Sequence, residues 1–420
     1  MSISLHRRGI SGEIDIVASK SHTIRGLLIA TFASGESIIH NPLESEDTAA
    51  CLEVCRALGA KITLGPNSIK IVGVETFPEE VTLDCRNSGT TLYLATGLAA
   101  TSGSRITFYG DEQLNKRPLN ELLNALTNLG VAVEAEREGY PPYTIKGPLR
   151  GGESSLICHS SQFLSALLLA APLGKGDTTL TIPLLNEKPY VEMTLQWLKR
   201  QNISYQASPN FDSFLLKGGQ SYSSFETTIG GDYSAAAFFF CAAAIAGTAV
   251  TVRGLDYYDS QGDKELLTIL EKMGCLIKWT NNAVTVYGRP LKGGQFDLNA
   301  MPDTLPILAV TACFAQGETL LHNVPQARIK ESDRIASMVA NLRALKAEVE
   351  EGSDSLLIKG DGHLRGGAVK GFGDHRIIMA LAIASLATEE PVVIDSTEAV
   401  KVTFPTFFEL LEEISKEVSR

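Results

Sequence analysis

Stretches that are apolar on nearly every face recur along the 420-residue chain at an almost constant interval, each after a short polar opening. The openings stand at Lys20, Ser88, Ser160, Asp232, Asp303 and Asp374, so the steps between them are 68, 72, 72, 71 and 71 residues. The stretches read GLLIATFA, TLYLATGLAA, FLSALLLAA, SAAAFFFCAAAIA, LPILAVTACFA and IIMALAIASLA. A helix apolar all round must be buried. A second series keeps the same beat. RALGAKITLGPNSIKIVG, TNLGVAVEAEREGYPPYTIKG, EKMGCLIKWTNNAVTVYG and RALKAEVEEGSDSLLIKG each read as a helix end followed by two short strands. Gly59 and Gly130 are 71 residues apart, and Gly274 follows Gly130 by 144, two periods of 72. Six units of 70 fill 420 residues, which predicts an α/β protein of six βαβ-type modules in two groups of three.

That arrangement has a chemical consequence. The first turn of a buried helix leaves N–H groups unpaired and carries a partial positive charge, so several such ends facing one way attract anions. Simple capping by Ser, Asn and Asp is the plainer alternative. What favours a site is the company of the openings: Lys20, Asn87, Ser160, Gln162, Asp303, His375 and Arg376.

The balance of 44% hydrophobic and 20% charged residues is that of a globular protein, and a net charge of −11 argues against a nucleic-acid or anionic-membrane partner. No apolar run is long enough for a membrane span, and the N-terminal residues carry no leader pattern, so a cytoplasmic chain is expected. The seven cysteines fit no zinc spacing, and Cys51 and Cys55 fall on the core face of a helical pattern. Neither metal nor cofactor is expected.

Cations cluster near several openings. VASKSHTIRG places Lys20, Ser21 and Arg25 together, and Arg117 precedes Pro118 at an expected helix start, the wrong end for a cation unless an anion binds there. ARIKESDRIASM holds Arg328, Lys330, Glu331, Asp333 and Arg334, which also reads as a charged helix face. KGFGDHRIIMALA adds Asp374, His375 and Arg376. Arg334 and Arg376 can clamp one small dianion, Glu331 or His375 can transfer a proton, and Asp303 can act as a base.

These residues lie in motifs that resemble the 5-enolpyruvylshikimate-3-phosphate synthases. SKSHTIR (19–25), NSGT (87–90), RPL (117–119), SSQFLSALL (160–168), KPYVEMT (188–194), PDT (302–304), RIKESDR (328–334), GDHR (373–376) and TFP (403–405) occur in that family's order and spacing. The resemblance implies a two-domain inverse α/β barrel with three βαββαβ units per domain. One domain would be discontinuous, 1–19 with 232–420, and the other would run over 20–231. It implies shikimate 3-phosphate ligands at Lys20, Ser21, Arg25, Ser160, Ser161, Gln162, Tyr190, Asp303, Gln326 and Lys330. Phosphoenolpyruvate would be held by Lys20, Gly89, Arg117, Gln162, Arg334, Arg376 and Lys401. Asp303 would be the base, Glu331 the proton donor, and Lys20 would serve both substrates. No metal or cofactor takes part, and a monomer is expected.

Four positions depart from the family pattern. Tyr93 stands for an arginine, Glu187 for a serine on the substrate phosphate, Gln326 for an asparagine, and Val402 for a lysine that here sits one place early as Lys401. Glu187 is expected to turn away from the phosphate, or the phosphate to rely on Ser160 and Ser161. Lys401, in a segment read as extended, is expected to reach phosphoenolpyruvate through its long stem or a bulge. Two other readings remain: a UDP-N-acetylglucosamine enolpyruvyl transferase, disfavoured by the lack of a cysteine near Arg117, and a binding paralogue without turnover, disfavoured by Asp303 and Glu331.

Overall fold

A computed structural model describes residues 2–416. The chain divides into a continuous unit, Ala18–Ile229, and a discontinuous one, Met1–Val17 with Gly230–Arg420. The crossings thus fall two residues before the positions expected from the sequence.

The continuous unit carries helices α1 (Lys20–Phe32), α2 (Glu46–Leu58), α3 (Gly89–Ala99), α4 (Asn120–Asn128), α5 (Ser161–Ala170) and α6 (Lys188–Arg200). Their apolar composition puts α1, α3 and α5 in the interior, and every residue of α3 is buried. Small residues let α3 and α5 touch backbone to backbone: a Cβ at Gly97 would lie 2.3 Å from the Ala166 carbonyl oxygen. Gly97→Ala would therefore force the two helices apart, at a cost of about 1–3 kcal/mol.

Three four-stranded sheets surround these helices, and all follow one pattern. In the first, Glu226–Thr228 lies parallel to Glu36–His40, and the hairpin Lys61–Gly65 with Ser68–Val72 adds on antiparallel. Glu80–Asp84, Arg105–Tyr109, Tyr143–Lys146 and Ala132–Ala135 repeat the arrangement, as do Gly152–Cys158, Thr178–Leu185, Ser213–Leu216 and Tyr205–Ala207. Glycines in left-handed backbone end the helices that feed the first two hairpins, Gly59 at φ 111° and Gly130 at φ 90°.

The discontinuous unit carries α7 (Tyr233–Ala246), α8 (Leu266–Met273), α9 (Leu305–Cys313), α10 (Arg334–Ala344), α11 (His375–Ala384) and α12 (Phe407–Ile414). Here α7, α9 and α11 are the buried set, and α7 alone sinks Phe238, Phe239 and Phe240. Each such ring removed from water contributes about 1.5–3 kcal/mol. The chain's start is tied into this unit by strand pairing. Gly12–Asp15 runs parallel to Ala249–Arg253, and Ile3–Leu5 runs antiparallel to Val392–Ile394. Without those pairings the first residues would have no place for their backbone donors and acceptors.

The RIKESDR segment is not one helix face. Pro325–Ile329 forms a 3-10 turn, Lys330–Asp333 is irregular, and α10 begins only at Arg334 with Asp333 as its cap. Neither is α4 opened by Pro118, since it starts at Asn120 behind Leu119. All seven cysteines are buried and unbridged. Among the described residues no helix is long and apolar enough to cross a membrane, and no group of three or more His, Cys, Asp or Glu is placed to hold a metal ion.

Candidate active site

In the continuous unit the cations stand at the openings of α1 and α3. Ser19 caps α1, accepting the His22 N–H, and places Lys20 on the first turn, where its Nζ lies 2.9 Å from Asp47 Oδ2. One turn further, Arg25 is 1% exposed and donates only to neutral acceptors: Thr194 Oγ1 (2.9 Å), the Ser21 and Tyr190 carbonyls (3.1 and 3.3 Å) and Ser165 Oγ (3.5 Å). Burial brings its pKa down to about 10, partly opposed by the Tyr190 hydroxyl. A buried guanidinium surrounded by neutral groups is costly to keep charged unless an anion joins it.

Arg117 reaches the opening of α3 rather than that of α4. Its Nη2 donates to Asn87 Oδ1 at 3.1 Å, and a Cβ at Gly89 would lie 2.7 Å from its Nη1, so only glycine leaves room for the guanidinium there. Gln162, on the first turn of α5, donates from Nε2 to Thr90 Oγ1 on the first turn of α3 (3.1 Å). The first turns of these two helices thus bring together Gly89, Arg117 and Gln162, around the positive end of a helix.

The discontinuous unit gathers its charges on one side chain. Arg334 is 1% exposed and donates from Nε to Asp374 Oδ2 (2.8 Å), from Nη1 to Asp303 Oδ1 (2.7 Å) and from Nη2 to Glu331 Oε2 (2.6 Å). Arg376 Nη2 lies 3.1 Å from the other Asp303 oxygen, and Lys330 Nζ 3.9 Å from the first. Burial acts to raise the Asp303 pKa, but Arg376, then Lys330 and Arg334, hold it well below the usual carboxylate range. Burial acts to lower the Arg334 pKa, yet Asp374, Glu331 and Asp303 push it up. Gln326, 2% exposed, donates from Nε2 to the Asn299 carbonyl (2.9 Å), while its buried Oε1 accepts no hydrogen bond among the described residues.

At five of the six openings a side chain caps the helix: Ser19, just before Lys20, then Ser88, Ser160, Asp232 and Asp374. Asp303 is the exception. It lies in the 3-10 turn Pro302–Thr304, and its carboxylate is spent on Arg334 and Arg376. Capping accounts for the rest; it does not account for Asp303.

A family model described as EPSP synthase (3-phosphoshikimate 1-carboxyvinyltransferase) matches residues 6–411. A 3-phosphoshikimate 1-carboxyvinyltransferase of Acetivibrio thermocellus is 43% identical over 422 residues, covering 100% of this chain and 99% of the relative. That of Ruminiclostridium cellulolyticum is 45% identical and covers 97% of both. The chain belongs to the EPSP synthase family. The solved EPSP synthase of Acinetobacter baumannii superposes with a TM-score of 0.83 at 26% identity, covering 100% of this chain and 99% of that one. An enolpyruvyl transferase from Streptomyces tendae, at 18% identity and a TM-score of 0.79, shares the fold.

Against the EPSP synthase pattern, the four departures resolve unequally. Tyr93 is buried, its ring edge-on to Phe163 at 5.2 Å, so an apolar contact between α3 and α5 stands where the family has a cation. Glu187 does not turn away. Its carboxylate accepts from the Ser161 amide at 3.1 Å and the Ser161 hydroxyl at 2.7 Å. Lys401 is exposed and lies in a 3-10 turn, Glu398–Val402, rather than an extended segment. A shift of one residue there rotates a side chain by about a third of a turn, not to the opposite face. Gln326 keeps the amide of the family's asparagine on a longer stem.

Three residues that the sequence reading missed also shape the site. Asp47 reads in sequence as a helix-start acid in SEDT, and its role as the partner of Lys20 needs the fold to bring α1 and α2 together. Thr194 and Ser165 lie inside the KPYVEMT and SSQFLSALL motifs, but nothing in either motif points them at Arg25.

Proposed function

We propose that this chain transfers the carboxyvinyl group of phosphoenolpyruvate to the 5-hydroxyl of shikimate 3-phosphate, releasing phosphate. Family membership over the whole chain supports the reaction. The observation that carries the mechanism is the Arg334 cluster, in which two acids of assigned roles share one buried guanidinium.

The acceptor is taken by Lys20, Ser21, Arg25, Ser160, Ser161, Gln162 and Tyr190, with Gln326 Oε1 free to accept from a substrate hydroxyl and Lys330 beside Asp303. Phosphoenolpyruvate is taken by Gly89, Arg117, Gln162, Arg334, Arg376 and Lys401, with Lys20 serving both substrates. In the addition step the 5-oxygen bonds to C2 and its proton passes to Asp303. C3 receives a proton from Glu331, giving a tetrahedral ketal phosphate. In the elimination step C3 returns a proton to Glu331, the C2–O bond to phosphate breaks, and the leaving phosphate takes the proton held on Asp303 and is stabilised by the surrounding cations.

The electrostatics give this sequence a trigger. Held low by Arg376 and Arg334, the Asp303 carboxylate is a weak base in the free protein. A phosphate and a carboxylate that draw on those guanidiniums weaken their hold, so Asp303 gains basicity as the donor substrate binds. A coupled assay tests the function: phosphate should appear only when shikimate 3-phosphate and phosphoenolpyruvate are both present. Equal or faster release with UDP-N-acetylglucosamine in place of the former would overturn it.

A further inference from the structure

Glu187 stands at the start of α6, where a side chain ordinarily caps its own helix. Its backbone is left-handed at φ 56° and ψ 42°, a sparsely populated conformation for a residue with a Cβ, and it makes no cap bond to α6. The carboxylate instead crosses to α5, where it takes both Ser161 donors, and the residue is 2% exposed. One turn along α5, Ser165 Oγ faces the buried Arg25, and Tyr190 joins the two: its N–H donates to the Glu187 carbonyl and its carbonyl accepts from Arg25. The region therefore contains an oxyanion seated on a helix N-terminus, next to a buried cation whose own partners are all neutral.

Resting on the function proposed above, we propose that Glu187 is a tethered occupant of the acceptor's phosphate seat, a carboxylate that the incoming 3-phosphate must displace from Ser161. A phosphate monoester offers three acceptor oxygens and about two charges against the carboxylate's one, so the exchange runs towards substrate. It runs with a handicap, since the two anions compete for the same donors and repel each other. Glu187 thereby lowers affinity for the phosphorylated acceptor specifically. Shikimate without the phosphate has no need to displace it.

Titration calorimetry without phosphoenolpyruvate measures this on the whole chain, comparing wild type with Glu187→Gln and Glu187→Gly. Glutamine keeps an acceptor for Ser161 without the charge, and glycine suits the left-handed backbone, so a thermal scan should show both folded. The expected result is a shikimate 3-phosphate Kd lower by roughly five- to tenfold or more in both variants. The Kd for plain shikimate should move less than about twofold. An unchanged or higher shikimate 3-phosphate Kd in both would overturn the inference and leave Glu187 as a support that orients Ser161. Wild-type turnover separates the two claims. Turnover with both substrates and an unmoved Kd counts against Glu187 alone, whereas a wild type that neither binds nor uses shikimate 3-phosphate overturns both.

Discussion

Arg25 and Arg334 are the same residue type, each 1% exposed and each near the start of a helix, yet they are held in opposite ways. Arg25 donates to two hydroxyls and two carbonyls, and burial lowers its pKa to about 10. Arg334 is enclosed by Asp303, Glu331 and Asp374, and its pKa is pushed up. The first is a buried cation on neutral acceptors, the one proposed above to meet the acceptor substrate. The second is already neutralised, and two of its three partners, Asp303 and Glu331, are the groups proposed to move protons. On the proposed reading, the Arg25 region receives charge and the Arg334 cluster holds acids in place until charge arrives.

The largest effect should come from the acids. Asp303→Asn or Glu331→Gln removes a proton carrier while preserving size, and steady-state turnover should fall by roughly 10²–10⁴-fold. Shikimate 3-phosphate binding should persist. Near-normal turnover in both variants would make the cluster purely structural.

Next is the stability contrast. Arg334→Met removes the buried guanidinium that three carboxylates share, leaving Asp303 to Arg376 and Lys330, and should destabilise the discontinuous unit by about 3–5 kcal/mol. The chain's two tryptophans make this readable, because Trp279 lies in that unit and Trp197 in the other. Denaturant unfolding followed by fluorescence in a Trp197→Phe background isolates the effect. Arg25→Met should do the reverse. Thr194 Oγ1 already donates to Ser165 Oγ at 2.9 Å, so the abandoned hydroxyls keep a partner and stability should move by less than about 1 kcal/mol. The shikimate 3-phosphate Kd should instead rise roughly 10- to 150-fold, the worth of a lost charge-assisted bond. Equal destabilisation by the two substitutions would erase the distinction.

Lys401→Ala should be the mildest. If this exposed lysine serves phosphoenolpyruvate, its KM should rise about tenfold. A silent Lys401→Ala, with Val402→Lys lowering KM, would remove Lys401 from the ligand set.

The parts of this contrast were unequally legible in the sequence. The beat of apolar stretches located the buried helices because burial on all faces leaves few polar residues in the pattern. The helix-ending glycines located the hairpins, although Lys346 shows the same left-handed turn made without glycine, at φ 69°. Glu331 and Arg334 were legible as neighbours in one segment, and Asp303 joined them only through the family resemblance. Which acid each guanidinium would hold was not legible, since Asp303 lies 31 residues from Arg334 and only the 3-10 turn frees it from capping. The direction of Glu187 was hidden for the same reason. Repulsion from a phosphate argued that it should point away, but its direction is set by a left-handed backbone and by donors 26 residues distant.

Isothermal titration of the unliganded protein with each substrate alone tests the asymmetry most directly. Shikimate 3-phosphate should bind by itself, because Arg25 gives up only neutral partners and the phosphate outcompetes the single carboxylate of Glu187 at Ser161. Phosphoenolpyruvate alone should bind roughly tenfold or more weakly than shikimate 3-phosphate, because Arg334 and Arg376 must first loosen from Asp303 and Glu331. Phosphoenolpyruvate binding alone as tightly as shikimate 3-phosphate, or more tightly, would contradict it.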